Sequence, residues 1–103
     1  KNIKIREIKR IFFIKQKNNT FRGKHAHKKC TQVFFQVKGK SELKISTKNK
    51  INKIQLNEAK KFAYIVKPKS WIELRSISKD SITAVFCDRY YEKKDYIYKF
   101  NQI

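Results

Sequence analysis

The chain alternates in short bursts. Ile3-Lys4-Ile5 reads apolar, polar, apolar, and Arg10-Ile11-Phe12-Phe13-Ile14 is a compact run of strand-forming residues, so two early strands are predicted. A polar stretch over 16–20, holding Asn18 and Asn19, predicts a turn. Further strands are predicted over 21–27, 31–37, 43–46, 51–56, 62–67, 71–76, 82–87 and 96–100, with Gly39 closing the second of these segments. Only 57–61 hints at a helical turn, and the sole proline, Pro68, falls at a strand end, where its missing N–H does least harm. Short strands at near-regular spacing predict an all-β sandwich or small barrel.

Composition narrows this reading without changing it. At 103 residues the chain is long enough for one core and too short for two, so a single domain spanning 1–103 is expected. Apolar residues make up 40%, including eight Phe, which excludes a disordered basic tail despite 34% charged residues. Two Gly and one Pro exclude collagen-like and low-complexity classes and leave Asn and Lys to make most turns. The apolar stretches are only a few residues long, so a soluble, cytoplasmic protein with no membrane partner is expected. Cys30 and Cys87 form no CxxC pair and read as reduced core thiols.

The net charge of +19 raises the question of a polyanionic partner. Through Lys61 there are 19 Lys and Arg against Glu7, Glu42 and Glu58; from Phe62 onward 8 face 5 acids, so the first part carries the field. The bases are spread singly and no recognition motif accompanies them, which makes nucleic acid an unlikely partner.

One constellation carries chemistry. The chain's two histidines, His25 and His27, stand two apart on a predicted strand, so both imidazoles enter one pocket or both face solvent. Gln32 follows at an odd offset, on the other face unless a bulge or bend intervenes, and Gly39 closes the segment. The pattern H-x-H-x4-Q-x6-G resembles the first cupin motif with Gln in place of its usual Glu. A metal-binding cupin needs a carboxylate at that position and a third histidine near Pro68-Lys69-Ser70-Trp71. Gln32 is a neutral ligand at best, although Glu73 leaves two imidazoles plus one carboxylate open as an alternative.

The run Arg22-Gly23-Lys24-His25-Ala26-His27-Lys28-Lys29, followed by Gln32, resembles the R-G-x-H-A-H-K-x-x-x-Q signature of the dTDP-4-keto-6-deoxyglucose 3,4-ketoisomerases, the WxcM-like cupins. Pro68-Lys69-Ser70-Trp71 matches that family's P-x-x-W, and Asp88 to Ile97 resembles its terminal Y-Y-D-E-x-D-Y-I. The resemblance runs from about Arg10 to the C-terminus. It implies a double-stranded β-helix, usually a homodimer, that moves a keto group from carbon 4 to carbon 3 of a dTDP-linked 4-keto-6-deoxy sugar without metal or cofactor. It also implies catalysis by His25 and His27, with His27 as proton shuttle, and substrate binding by Arg22, Gln32 and Trp71. Tyr90, Tyr91 and Tyr96 are read as barrel packing. Phe12, Phe13 and Ile72 stand where the family commonly carries Tyr or His, and the N-terminal strand that usually precedes this region is missing or shortened. The alternatives are a non-catalytic sugar-nucleotide-binding cupin, a metal-dependent cupin and a nucleic-acid-binding protein.

Overall fold

The computed structural model describes residues 7–103, so the expected strand at Ile3-Lys4-Ile5 lies outside the described residues. Nine strands are formed among them: β1 Arg10–Lys17, β2 Phe21–His27, β3 Gln32–Lys38, β4 Lys40–Ser46, β5 Ile51–Asn57, β6 Ala63–Val66, β7 Trp71–Ser76, β8 Asp80–Cys87 and the short β9 Tyr96–Ile97. One sheet has the order β1-β8-β3-β6 and the other β5-β4-β7-β2-β9, with every pair antiparallel. From β1 to β8 successive strands fall in opposite sheets except β4 and β5, which pair as a hairpin, and the result is the eight-stranded jelly-roll order of the expected cupin barrel.

Alternation decides what fills the barrel. Phe34 of β3, Leu43 of β4, Leu56 of β5, Leu74 of β7 and Val85 of β8 are almost fully buried and form an apolar belt. One end of the interior is closed by polar side chains that satisfy one another. Thr83 Oγ1 donates to Gln36 Oε1 at 2.8 Å, Gln36 Nε2 donates to Ser41 Oγ at 3.0 Å, and Gln16 Nε2 donates to Thr20 O at 2.7 Å. The other end, lined by the starts of β1, β3 and β7 and the end of β2, stays open.

Three expectations are corrected. The 57–61 segment is not helical: Asn57 ends β5, and Lys60 N donates to Asn57 O at 3.0 Å in a turn between two strands. β1 runs on to Lys17, because pairing with β8 out to Asp80 holds Gln16 and Lys17 extended, and the turn shrinks to Asn18 and Asn19. The last predicted strand stops at Ile97, and 100–102 forms a 3-10 turn. Leu43 has no exposed surface and packs in the middle of the belt. Leu43→Ala is therefore expected to cost about 2–5 kcal/mol of unfolding free energy in urea titrations. Lys44→Ala, one residue along on the opposite face, should change it by less than about 0.5 kcal/mol.

Candidate active site

The open end is built around a defect in β2. Arg22 pairs with Leu74 and His25 with Ile72, so the backbone gains one residue between Gly23 and His25. Gly23 and Lys24 take φ of +100° and +60° at this bulge, and a Cβ on Gly23 would lie 3.0 Å from Ile72 O. Leu74 and Ile72 both point inward, so the bulge turns Arg22 and His25, three positions apart, to the same interior face. Past the bulge the ordinary period of two carries His27 inward as well. Gln32 reaches that interior from β3, in the facing sheet, which resolves its odd offset from the histidines.

Arg22, His25 and Gln32 line a cavity of about 190 Å³, and His27 lies just outside its lining. Arg22, His25, Gln32 and Tyr96 give it polar walls; Phe12, Phe34, Ile72 and Leu74 give it apolar ones. Two larger clefts of about 310 Å³ lie elsewhere, one among Lys15, Lys17, Lys38 and Asp80, the other along 88–92, and neither contains a histidine. The apolar residues at usually polar family positions thus divide: Phe12 and Ile72 face the cavity, whereas Phe13 points out.

His27 sits behind His25, with ring centroids 5.4 Å apart and nearly perpendicular planes. Its Nδ1 lies 3.0 Å from Asp95 Oδ2, and both side chains are buried. Asp95 also accepts from the backbone N–H of Lys29 at 2.7 Å and of Cys30 at 3.3 Å. Burial raises the Asp95 pKa, but the His27 hydrogen bond and these N–H donors outweigh it and hold the carboxyl below its ordinary range. An ionised carboxylate only accepts, so the His27 proton resides on Nδ1 and Nε2 keeps its lone pair. That Nε2 is buried without a protein partner, as are His25 Nδ1 and Gln32 Oε1. Three polar atoms at one end of the barrel therefore await a partner from outside the chain.

A family model described as FdtA, WxcM-like, C-terminal, matches residues 2–103. The chain belongs to this WxcM-like family. A relative from Aneurinibacillus thermoaerophilus, a TDP-4-oxo-6-deoxy-α-D-glucose-3,4-oxoisomerase, is 34% identical over 95 residues, covering 91% of this chain and 68% of the relative. Among solved structures, the sugar 3,4-ketoisomerase QdtA of Thermoanaerobacterium thermosaccharolyticum, in complex with TDP, superposes with a TM-score of 0.86 at 26% identity, covering 93% of this chain and 70% of its own. WlaRA of Campylobacter jejuni, a TDP-fucose-3,4-ketoisomerase, gives 0.83 at 34% identity, with 93% and 71% covered.

Within this WxcM-like protein, four of the five expected site residues converge and one does not. Trp71 alternates with Ile72 on β7, so burying Ile72 turns the indole outward; its Nε1 donates to Glu73 Oε2 at 3.2 Å and its ring meets Phe100 at 6.0 Å. Glu73 shares that outer face, which removes the carboxylate considered for a two-histidine metal site. Tyr90 and Tyr91 are exposed rather than packed in the barrel, while Tyr96 lines the cavity. Asp95 and Arg10 join the site unforeseen. Arg10 Nη2 donates to Tyr96 Oη at 3.2 Å and contacts Cys87 Sγ at 3.5 Å. The charge of Asp95 within the terminal motif was visible in the sequence, but its partner stands 68 residues away.

Burial, reinforced by the neighbouring His27 and Arg10, pushes the His25 pKa down to about 4. Imidazole NMR should accordingly show one of the two histidines still neutral at pH 5. The unfolded chain takes up that proton first, near 6.5, so the contribution of neutral His25 to stability is intact above 6.5 and declines as pH falls toward about 4. Two imidazoles that both titrate near 6.5 would contradict this arrangement.

Proposed function

We propose that this protein is a nucleotide-sugar 3,4-ketoisomerase that moves the keto group of a dTDP-linked 4-keto-6-deoxyhexose from carbon 4 to carbon 3. The observation that carries the reading is the inward-facing pair His25 and His27, with His27 locked to Asp95 and its Nε2 free. Relatives support the substrate class: QdtA has been solved with TDP, and a histidine-to-asparagine variant of it with TDP-4-keto-6-deoxyglucose.

The chemistry follows from the two environments. The carbon-3 proton is acidified by the adjacent ketone; its removal gives an enediolate, the hydroxyl proton passes from oxygen 3 to oxygen 4, and protonation at carbon 4 completes the transfer. His27 is the proton shuttle. Asp95 stabilises the imidazolium formed when Nε2 accepts the proton, and the same nitrogen returns it to the neighbouring carbon. His25, kept neutral by burial, hydrogen-bonds the oxygens whose charge changes, and Gln32 orients the ring through its unpaired amide oxygen. The cavity is smaller than the roughly 300–1,000 Å³ of pockets that enclose drug-sized ligands. It holds the sugar and leaves the nucleotide at the mouth, where exposed Arg22 offers its fork of donors to the diphosphate. The neutral Gln32 and apolar Ile72 favour a reaction without a resident metal.

We further propose that it acts as a homodimer through the outer face of the β1-β8-β3-β6 sheet. Two rows of paired residues cross that face, Ile11, Phe86, Val33 and Ile65 in one and Phe13, Ala84, Phe35 and Ala63 in the other, without a single charge. Phe13 is 61% and Ile11 52% exposed in the isolated chain. An apolar face of this extent marks a protein contact.

Incubation with dTDP-4-keto-6-deoxyglucose in deuterated water, followed by product NMR, is expected to yield the 3-keto isomer with deuterium at the exchanging carbon, and chelation should leave turnover intact. His27→Asn and Asp95→Asn should each lower turnover by roughly 10²–10⁴-fold, with nucleotide binding within several-fold. Normal turnover and deuterium entry in His25→Asn/His27→Asn would sink the assignment and favour a sugar-nucleotide-binding cupin. Sedimentation of the unaltered chain is expected to give twice 12.5 kDa. Phe13→Glu should shift it toward the monomer; a monomeric wild type would refute the interface.

A further inference from the structure

The site described above uses the Nε2 side of His27; the other side of the same ring faces a second cluster. His27 Nδ1, Cys30 Sγ and an Asp95 carboxylate oxygen all lie within 4.8 Å of one another, and all three residues are buried. Cys30 is a free thiol whose Sγ donates to Thr31 O at 3.5 Å. The three side chains come from the end of β2, the β2–β3 connection and the turn before β9, so they converge from separate segments. We propose that His27, Cys30 and Asp95 form a binding site for a divalent cation of the zinc type, and that its occupancy takes His27 out of the reaction. The inhibitory half rests on the proposed isomerase reading; the site itself does not.

The donor set fits such an ion. One imidazole, one sulfur and one carboxylate are ligands that zinc takes in tetrahedral sites, with bonds of about 2.0–2.3 Å and a water in the fourth position. A tetrahedron of that size sets its ligands about 3.3–3.8 Å apart. The largest separation allowed in the triad, 4.8 Å, exceeds this by roughly an ångström, a movement within reach of side-chain torsions. His27 Nδ1 and Asp95 Oδ2 are already 3.0 Å apart, with a proton between them where the metal would sit.

Charge points the same way. Cation binding displaces the Cys30 thiol proton and moves the His27 proton from Nδ1 to Nε2, so that one thiolate and one carboxylate balance the double positive charge. With Nδ1 bound to metal and Nε2 protonated, His27 has no lone pair for substrate. The cation thus inhibits, opposite to the behaviour of a metal-dependent cupin.

The test is titration of the reduced, chelator-stripped full chain with Co²⁺ and with Zn²⁺. One equivalent of Co²⁺ is expected to bind with a thiolate-to-metal charge-transfer band. Zn²⁺ should displace it, releasing about one proton at pH 7, and stop turnover until a chelator is added. Cys30→Ser should remove the band and weaken binding by more than the roughly 10–100-fold that loss of an outer-shell partner costs. Imidazole ¹⁵N NMR of the unaltered protein covers the case of a variant that does not fold: Zn²⁺ should shift His27 Nδ1 and leave His25 in place. A band-free complex, binding through His25, or no saturable binding overturns the site, and full turnover of zinc-loaded protein overturns the inhibition. A protein that binds Co²⁺ as described yet never isomerises the sugar keeps the site and loses the isomerase reading.

Discussion

The whole open end of the barrel depends on one extra residue in β2. A strand presents alternate residues to opposite faces, so Arg22 and His25, three apart, cannot share a face unless the period is broken. The break occurs at Gly23 and Lys24, where φ is positive and Ile72 O of β7 comes close enough to Gly23 to leave little room for a side chain. Everything functional follows from that slip. Arg22 is brought to the mouth and His25 to the wall of one cavity, with His27 against His25 behind it, while β2 still pairs with β7 on one side and β9 on the other. Lys24 accommodates φ of +60° at a steric cost of order 1 kcal/mol, a strain held in place by the pairing on either side.

Most of the architecture was legible because its signals are local. Gly39 marks the β3–β4 turn, Pro68 ends a strand, and β2 and β7 begin and end where their residue types change. Ile11 to Ile14 and Val33 to Phe35 read as continuous apolar runs, of which Phe12, Ile14 and Phe34 face the core. The starts of β4 and β8 were not legible, since Lys40 and Asp80 are strand residues only by virtue of their partners Asn57 and Lys17. The same contrast holds in the site. Arg22, His25, His27 and Gln32 sit in one contiguous motif, whereas Asp95 and Arg10 reach it through contacts 68 and 86 residues long in sequence. Trp71 failed for a simpler reason: parity on β7 allows either the indole or Ile72 to face inward, and the apolar belt takes Ile72.

The electrostatics of the interior run against those of the exterior. The surface carries an excess of +19, yet among the described residues the buried site keeps its own balance. Asp95 faces His27, Arg10 faces Cys87 and Tyr96, and His25 avoids charge altogether. The charged groups of the site thereby meet a counterpart. The lysines, exposed and screened within about 10 Å at ordinary salt, act on what approaches the protein rather than on the chemistry inside.

Asp95 and Tyr96 belong to neither sheet's long strands. They lie on a 3-10 turn and a two-residue strand that is joined to β2 only through Ala26 and His27. Protection against hydrogen exchange should therefore fall in two tiers, with the apolar belt opening only on global unfolding and β9 opening at a smaller free energy. Release of that short segment removes the carboxylate from His27 and the phenol from Arg10 in one motion, leaving the jelly roll standing with its proton-transfer machinery disassembled. Catalytic order in this fold is thus a local equilibrium of its C-terminal segment, separable from the stability of the barrel that supports it.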